Sequence, residues 1–187
     1  MTTVLTVCTG NVCRSPAAER LLTARLAPLA PGITVASAGT GALVDAPVDP
    51  PMAALVAAAG ADVSGFAARQ LTAGLLEAAD LVLVMTREHR GAVVRLAPGA
   101  VRRTFLLREA AAVAEAVASV GWPEDVGTGI ADRLRALPRL APAHRGVASL
   151  HGAALEVPDP YRQAPAVYAE AIATITEAVG RLVTALR

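Results

Sequence analysis

Near its amino terminus the chain reads Val7-Cys8-Thr9-Gly10-Asn11-Val12-Cys13-Arg14-Ser15-Pro16. The apolar run that ends at Val7 predicts a buried strand, and Ser15-Pro16 predicts a helix that is capped by Ser15 and runs to about Leu26. A tight loop between a strand and a helix points several backbone N–H groups at one place, and the helix N-terminus adds partial positive charge. Residues 8–14, called the anion loop below, are therefore predicted to bind an anion.

Strand-like and helix-like segments alternate along the rest of the chain. Further strands are predicted at residues 33–36, 80–85 and 101–107. Further helices are predicted at residues 52–59, 73–78, 87–96, 108–120, 130–137 and 164–186. Because strands separated by helices form parallel sheets covered on both faces, we expect an α/β fold with three layers, αβα. The expected sheet is parallel with four strands, or five as the alternative, in one domain over residues 1–187.

The composition excludes several classes of function. The net charge is +1 and the basic residues are scattered, so we do not expect nucleic acid as a partner. No apolar run is long enough to cross a bilayer, and the amino terminus lacks a basic region and a small-residue cleavage site. We therefore expect a cytoplasmic protein without a membrane partner. The loop also lacks Gly-x-Gly-x-x-Gly and Gly-Lys-Ser/Thr, which argues against a nucleotide site.

The two ends of the anion loop carry reactive side chains. The Cys8 thiol would face N–H donors, a helix N-terminus and a guanidinium, and should therefore ionise readily to a nucleophile. The planar fork of Arg14 can hold two phosphoryl oxygens at once. Ser15 can donate a hydrogen bond to the thiolate. The predicted phosphate-binding residues between and beside these groups are Thr9, Gly10, Asn11, Val12, Cys13 and Ser15.

Metal ligands are not evident in the sequence. The cysteines Cys8 and Cys13 have neither Cys-x-x-Cys spacing nor a second cluster to complete a zinc site. The histidines, at positions 89, 144 and 151, are isolated, and we expect ordinary surface side chains. No metal and no cofactor is therefore expected, since the loop itself supplies positive charge.

A candidate proton donor lies far along the chain, in Val157-Pro158-Asp159-Pro160-Tyr161. From composition alone this segment is most often a surface turn stiffened by proline. A phosphate ester leaves as an alkoxide or phenoxide, however, and its hydrolysis needs a proton donor. From these residues alone, a surface turn remains the more frequent interpretation of Asp159.

The anion loop resembles the signature of the low-molecular-weight protein-tyrosine phosphatases, which open with such a loop. Further similar segments follow in order: Ser37-Ala38-Gly39-Thr40, Ala68-Arg69-Gln70, the strand at 80–85, and Asp159-Pro160-Tyr161. The resemblance covers most of the chain except roughly residues 109–156, and it is nearest to a longer bacterial branch seen chiefly in actinobacteria. It implies a flavodoxin-like phosphatase fold, with 109–156 as an extended insert that caps the site, forms a subunit contact, or does neither.

The resemblance also implies a mechanism. Cys8 attacks phosphorus, Arg14 and the loop hold the phosphoryl oxygens, and Asp159 is general acid and then general base, by way of a phosphocysteine. The implied substrates are a phosphotyrosine protein or a small phosphoester, and the implied inhibitors are phosphate- or vanadate-type oxyanions. Cys13 is either a small buried residue or a redox partner that captures oxidised Cys8 as a disulfide.

Three positions depart from the family pattern. Tyr161 is followed by Arg162 where relatives often have a second aromatic residue, and Leu43-Val44 stand near another usual aromatic position. Thr86 follows the third predicted strand where relatives often carry Asp. The expected rim of the site is therefore Leu43 and Tyr161, with Tyr161 the candidate for stacking on a phenyl ring.

Two other functions stay open. Arsenate reduction on a related fold would use the same loop; the thioredoxin-coupled form needs further cysteines, but a form that uses a low-molecular-weight thiol needs only Cys8. The other alternative is a phosphate-binding protein without catalysis, which would have no use for both a nucleophile and an acid.

Overall fold

The computed structural model describes residues 1–144 and 155–187. Within these ranges four strands form one sheet: β1 (Thr2–Cys8), β2 (Ile33–Gly39), β3 (Leu81–Val84) and β4 (Thr104–Leu106). The helices are α1 (Arg14–Leu26), α2 (Pro50–Ala58), α3 (Ala73–Ala78), α4 (Arg87–Leu96), α5 (Leu107–Val120), α6 (Ile130–His144) and α7 (Pro165–Ala185), and a 3₁₀ helix spans Pro98–Arg103. The predicted α/β fold with a parallel four-stranded sheet is confirmed.

The strand order places the anion loop at a crevice. The sheet has the order β2-β1-β3-β4, and every neighbouring pair is parallel. The chain leaves β1 toward β2 on one side and reaches β3 on the other, so the order reverses at the carboxyl end of β1. Open α/β sheets bind ligands at such a point. The anion loop begins there, at Cys8.

Alternate residues of the strands face two separate cores. Val4, Leu81, Leu83 and Phe105 pack with apolar residues of α1, α2, α5, α6 and α7. Leu5, Val82, Val84 and Leu106 pack with residues of α3, α4 and the 3₁₀ helix. This alternation follows from the two-residue period of a strand, and it produces the three layers that the sequence predicted.

Two predicted elements differ most from the bounds in the structure. The strand predicted at 101–107 is confirmed only at Thr104–Leu106, because Pro98 begins a 3₁₀ helix instead. The helix predicted at 130–137 continues to His144 through Pro138 and Pro142. Leu137 and Ala141 are buried on this helix, at 1 % exposure each, so packing outweighs the helix-breaking tendency of proline here.

Of the predicted insert, helix α6 lies away from the anion loop, whereas Glu156 lines a cavity next to Thr9 and Arg14. Residues from 109 onward complete α5, which packs against α7. On α6, the Nη1 of Arg135 donates to the Oγ1 of Thr2 over 2.5 Å, at the amino end of β1. α6 is therefore anchored at the edge of the sheet opposite the anion loop. Among the described helices, none combines the length and the apolar character that crossing a membrane requires.

Candidate active site

The backbone of the anion loop is held from outside, and its N–H groups are left open. The carbonyl oxygens of Cys8, Thr9 and Gly10 accept hydrogen bonds from the segment after β2, at 2.9 to 3.1 Å. In contrast, none of the backbone N–H groups of residues 9–13 donates to a described backbone oxygen. A ring of unpaired N–H donors at a helix N-terminus is suited to binding an anion.

Close approach of the two backbones depends on Gly39, the last residue of β2. A Cβ atom at this position would lie 2.3 Å from the carbonyl oxygen of Thr9 and 3.0 Å from the Cα of Ala42. Both neighbours are backbone atoms, which cannot rotate away. A side chain at Gly39 would therefore displace the anion loop.

The thiol of Cys8 meets the hydroxyl of Ser15. Cys8 is 2 % exposed, and its Sγ lies 2.9 Å from the Oγ of Ser15. That oxygen accepts a hydrogen bond from the Nδ2 of Asn11 at 3.0 Å, which leaves the hydroxyl hydrogen free to donate to sulfur. The expectation that Ser15 caps α1 is wrong: the helix begins at Arg14 with Cys13 at the N-cap position and no side-chain cap. The Ser15 hydroxyl is turned to the thiol instead.

Asn11 ties the loop to two other segments of the chain. It is fully buried and adopts a left-handed backbone with φ of 53°. Its Nδ2 also donates to the Oγ of Ser37 at 2.8 Å, and its Oδ1 accepts from the backbone N–H of Arg69 at 2.8 Å. Ser37 in turn donates to Glu19. The segments around Ser37 and Arg69, which the sequence marked only by resemblance, thus brace the loop.

Arg14 and Asp159 form an ion pair at the mouth of the loop. Their Nη2 and Oδ2 atoms lie 2.7 Å apart, and the side chain of Arg14 is 5 % exposed against 55 % for Asp159. The backbone N–H of Val157 donates to the carbonyl of Met85 at 2.9 Å, which docks the Asp159 segment onto the end of β3. The Nε of Arg14 is buried and has no hydrogen-bond partner within residues 1–144 and 155–187. An oxyanion in the loop would supply that partner.

The predicted site residues surround one cavity of about 230 Å³. Its lining comprises Cys8, Thr9, Gly10, Val12, Cys13, Arg14, Gly41, Leu43, Asp159 and Tyr161. Asn11 and Ser15 lie behind this wall, fully buried. On the rim, the guanidinium of Arg162 lies 5.1 Å from the ring centroid of Tyr161. The structure therefore brings together every residue that the sequence assigned to the site.

His89 is the residue that sequence reasoning placed wrongly. It is 4 % exposed, and its ring lies between Thr9 of the anion loop and Thr86 at the start of α4. Burial and the charge of Arg14 lower the pKa of His89 to about 4, although Asp159 and Glu156 act in the opposite direction.

The position of His89 in the sequence could have indicated this place. His89 lies in the first turn of the helix that follows a central strand, and ligand sites form at that edge of the sheet. His144 is partly exposed, and position 151 lies outside the described residues.

Behind Cys13 lies a second buried contact that the sequence did not reveal. The hydroxyl of Tyr168 donates to the Oδ2 of Asp49 at 2.7 Å, and the backbone N–H of Asp49 donates to the carbonyl of Val12. Burial raises the pKa of the Cys13 thiol, and the charges of Asp49 and Cys8 add to this effect. Cys13 is therefore held as a neutral thiol beside Cys8, and both cysteines are free.

A wider cavity of about 460 Å³ adjoins the first across Asp159. It shares Thr9, Arg14 and Asp159 with the first cavity, and its remaining carboxylates are Glu88, Glu156 and Glu170. The mouth of the loop therefore has an apolar side, next to Leu43 and Tyr161, and an acidic side. Among the described residues, no cluster of His, Cys, Asp and Glu could hold a metal ion.

Known proteins match both the sequence and the fold of this chain. The family model described as low molecular weight phosphotyrosine protein phosphatase matches residues 3–128. The low molecular weight protein-tyrosine-phosphatase Etp of Escherichia coli strain K12 is 45 % identical over 103 residues, which cover 55 % of this chain and 67 % of Etp. The probable low molecular weight protein-tyrosine-phosphatase EpsP of Ralstonia nicotianae is 42 % identical over 107 residues, which cover 57 % of this chain and 71 % of EpsP.

Among solved structures, Vibrio vulnificus Wzb in complex with benzylphosphonate superposes with a TM-score of 0.69 at 28 % identity. That alignment covers 98 % of this chain and 97 % of Wzb. The family match spans the anion loop with Cys8 and Arg14, and the structural likeness extends over nearly the whole chain. The chain therefore belongs to the low molecular weight protein-tyrosine phosphatase family.

Proposed function

We propose that the chain hydrolyses phosphotyrosine in proteins through a phosphocysteine on Cys8, with Arg14 binding the phosphoryl group and Asp159 as general acid and base. The observation that carries this proposal is that Cys8, Arg14 and Asp159 line the same cavity, the one of about 230 Å³. The family model ends at residue 128, so the role of Asp159 rests on its contact with Arg14.

In the first step the sulfur of Cys8 forms a bond to phosphorus and the ester oxygen departs. The open N–H groups of the loop and the guanidinium of Arg14 hold the equatorial oxygens, where the charge of the loose transition state is spread. Asp159 gives its proton to the departing oxygen, which avoids the release of a free phenoxide.

Binding of substrate prepares Asp159 for this role. In the free site Asp159 is paired with Arg14. An incoming phosphoryl group competes with the carboxylate of Asp159 for the same guanidinium. The exposed side chain of Asp159 can then turn toward the leaving group, because its ion pair has been replaced.

In the second step water displaces the sulfur from phosphorus. Asp159, now ionised, takes a proton from that water, and phosphate and the thiolate of Cys8 are formed. The hydroxyl of Ser15, at 2.9 Å, donates to the departing sulfur. The loop supplies the positive charge throughout, so the mechanism that we propose uses no metal and no cofactor.

The apolar side of the cavity favours a phenyl ester. Val12 of the anion loop, together with Leu43 and Tyr161, forms its wall. A phenyl ring between Leu43 and Tyr161 would carry its phosphate toward Cys8. Wzb of Vibrio vulnificus, which is similar in fold and sequence, binds benzylphosphonate, in which a methylene group joins a phenyl ring to a phosphonate. We also propose that the protein works in the cytoplasm, where reducing conditions keep both free cysteines reduced.

Substitution of Cys8 and Asp159 tests the proposal. Cys8→Ser should abolish hydrolysis of a phosphotyrosine peptide. Asp159→Asn should lower kcat for phenyl phosphate by roughly 100-fold or more, and lower it much less for an ester of an acidic phenol, which needs no proton. The matched control is Asp125→Asn, since Asp125 is also exposed and paired with an arginine, Arg139, at 2.9 Å.

The leaving-group dependence decides the role of Asp159. An equal loss of kcat on both esters would show that Asp159 is not the general acid. Full activity of Cys8→Ser would overturn the phosphocysteine mechanism. Arsenate reduction, measured in parallel with a low-molecular-weight thiol, should stay at the level of the Cys8→Ser protein.

A further inference from the structure

The ring of His89 connects the anion loop to the start of α4. Its Nε2 lies 2.9 Å from the Oγ1 of Thr9, and its Nδ1 lies 2.8 Å from the Oγ1 of Thr86. Thr86 is the N-cap of α4, and its oxygen accepts the backbone N–H of His89 at 3.3 Å. The ring is therefore fixed at both nitrogens and cannot rotate without losing a hydrogen bond.

The hydrogen bonds of Thr86 determine which nitrogen carries the proton. Its oxygen already accepts one hydrogen bond, so its hydroxyl hydrogen needs an acceptor in this partly buried place. The Nδ1 of His89 is the acceptor within reach. Nε2 then carries the ring proton and donates to Thr9. The low pKa of His89, about 4, keeps the ring neutral, so only one nitrogen can be the donor at neutral pH.

This direction leaves the hydroxyl hydrogen of Thr9 without an acceptor in the part of the chain that the structure describes. Thr9 follows the nucleophile, and it lines both the apolar and the acidic cavity. Within the described residues, His89 is the hydrogen-bond partner of its side-chain oxygen. A donor held at this place, beside Arg14, is suited to an anionic oxygen.

We propose that the Thr9 hydroxyl donates a hydrogen bond to the bound phosphoryl group, and that neutral His89 is the positioning residue that holds Thr9 in this orientation through its Nε2–H. The inference rests on the proposed function, since it assigns a further contact to the phosphoryl group at Cys8. It adds a side-chain donor to the backbone N–H groups and the guanidinium of the loop.

Affinity for inorganic phosphate measures this contact without any catalytic step. Thr9→Val should weaken phosphate binding by about tenfold, the usual effect of one hydrogen bond to a charged group, whereas Thr9→Ser should keep it within about twofold. His89→Leu should cause a similar loss, and His89→Gln, which retains an amide donor, should recover part of it. In the double variant Thr9→Val with His89→Leu, the loss should be no larger than in the more affected single variant.

Additive losses would show that His89 does not act through Thr9, and phosphate binding unchanged in Thr9→Val would overturn the proposal.

A second measurement uses the unaltered protein, in case His89→Leu does not fold. The ¹⁵N shifts of the His89 ring should show a neutral Nε2–H tautomer at pH 7, and an Nδ1–H tautomer would refute the assigned direction. Loss of phosphate binding in Thr9→Val would stand even if the chain did not hydrolyse phosphotyrosine, so the two proposals fail separately.

Discussion

Asn11→Ala is the substitution that most directly tests how the anion loop is held. It removes three hydrogen bonds from a fully buried side chain: those to Ser15, Ser37 and the backbone N–H of Arg69. The N–H of Arg69 would be left without its acceptor, which costs about 1–3 kcal/mol. Alanine in the left-handed conformation at φ of 53° adds about 1–2 kcal/mol.

Together these effects predict a loss of roughly 4 kcal/mol in the free energy of unfolding, when the smaller loss at the two serines is included. A domain of ordinary stability, about 5–15 kcal/mol, would still fold. The kinetic effect should be larger than the stability effect suggests. Ser15 loses the donor that orients its hydroxyl toward Cys8, and a shift of the loop by about 1 Å can lower kcat by about 100-fold.

Denaturant unfolding and hydrolysis of a phosphotyrosine peptide measure the two effects on the same protein. Thr72→Ala is the control, because Thr72 caps α3 through the backbone N–H of Leu75 and lies outside the cavity lining. It should cost about 1 kcal/mol and leave kcat unchanged. A loss below about 1 kcal/mol for Asn11→Ala, or a kcat within about twofold of the parent, would refute the view that Asn11 braces the loop.

Three further results are expected. Gly39→Ala should cost at least about 2 kcal/mol in unfolding free energy and lower kcat, because its Cβ meets a loop carbonyl oxygen at 2.3 Å; parent-like thermal unfolding and kinetics would contradict this. Iodoacetamide should label Cys8 and not Cys13 at pH 7.5, roughly one unit below the pKa of an ordinary thiol, because the pKa of Cys13 is raised. Mass spectrometry of the labelled peptide identifies the cysteine that has reacted. Burial and the bond to Asp49 raise the pKa of Tyr168 from 10.0 to about 12, so its contribution to stability is complete below pH 10 and is lost as the pH rises to about 12. Comparison with Tyr168→Phe across that range should show the difference in unfolding free energy disappearing, and a constant difference would contradict it.

The anion loop could be predicted because the residues that indicate it are close together in the sequence. A strand, a glycine-containing turn and a helix start lie within a few residues, and Cys8 and Arg14 mark the two ends. Asp159 lies far away in sequence, and its role as the acid was predicted from a family resemblance together with the chemistry that an ester requires. The structure then brings it to 2.7 Å from Arg14.

The contacts that were missed depend on tertiary structure. His89 carries no local signal of burial, because it follows Thr86-Arg87-Glu88 at the exposed beginning of a helix. The pairing of Asp49 with Tyr168 joins residues 119 positions apart. The length of α6 was underestimated because Pro138 is locally unfavourable in a helix, and the packing that overrides it comes from other elements.

The pairing of Arg14 with Asp159 means that the protein supplies its own counter-ion to the guanidinium that would bind phosphate. Any anion that enters must first displace this internal counter-ion, so the measured affinity of an inhibitor is the difference between two competing interactions. In the mechanism that we propose, the same competition would work in reverse after turnover, when the carboxylate of Asp159 returns to Arg14 and displaces phosphate. Removing the charge of Asp159 should therefore make the protein bind phosphate more tightly, although it turns substrate over more slowly.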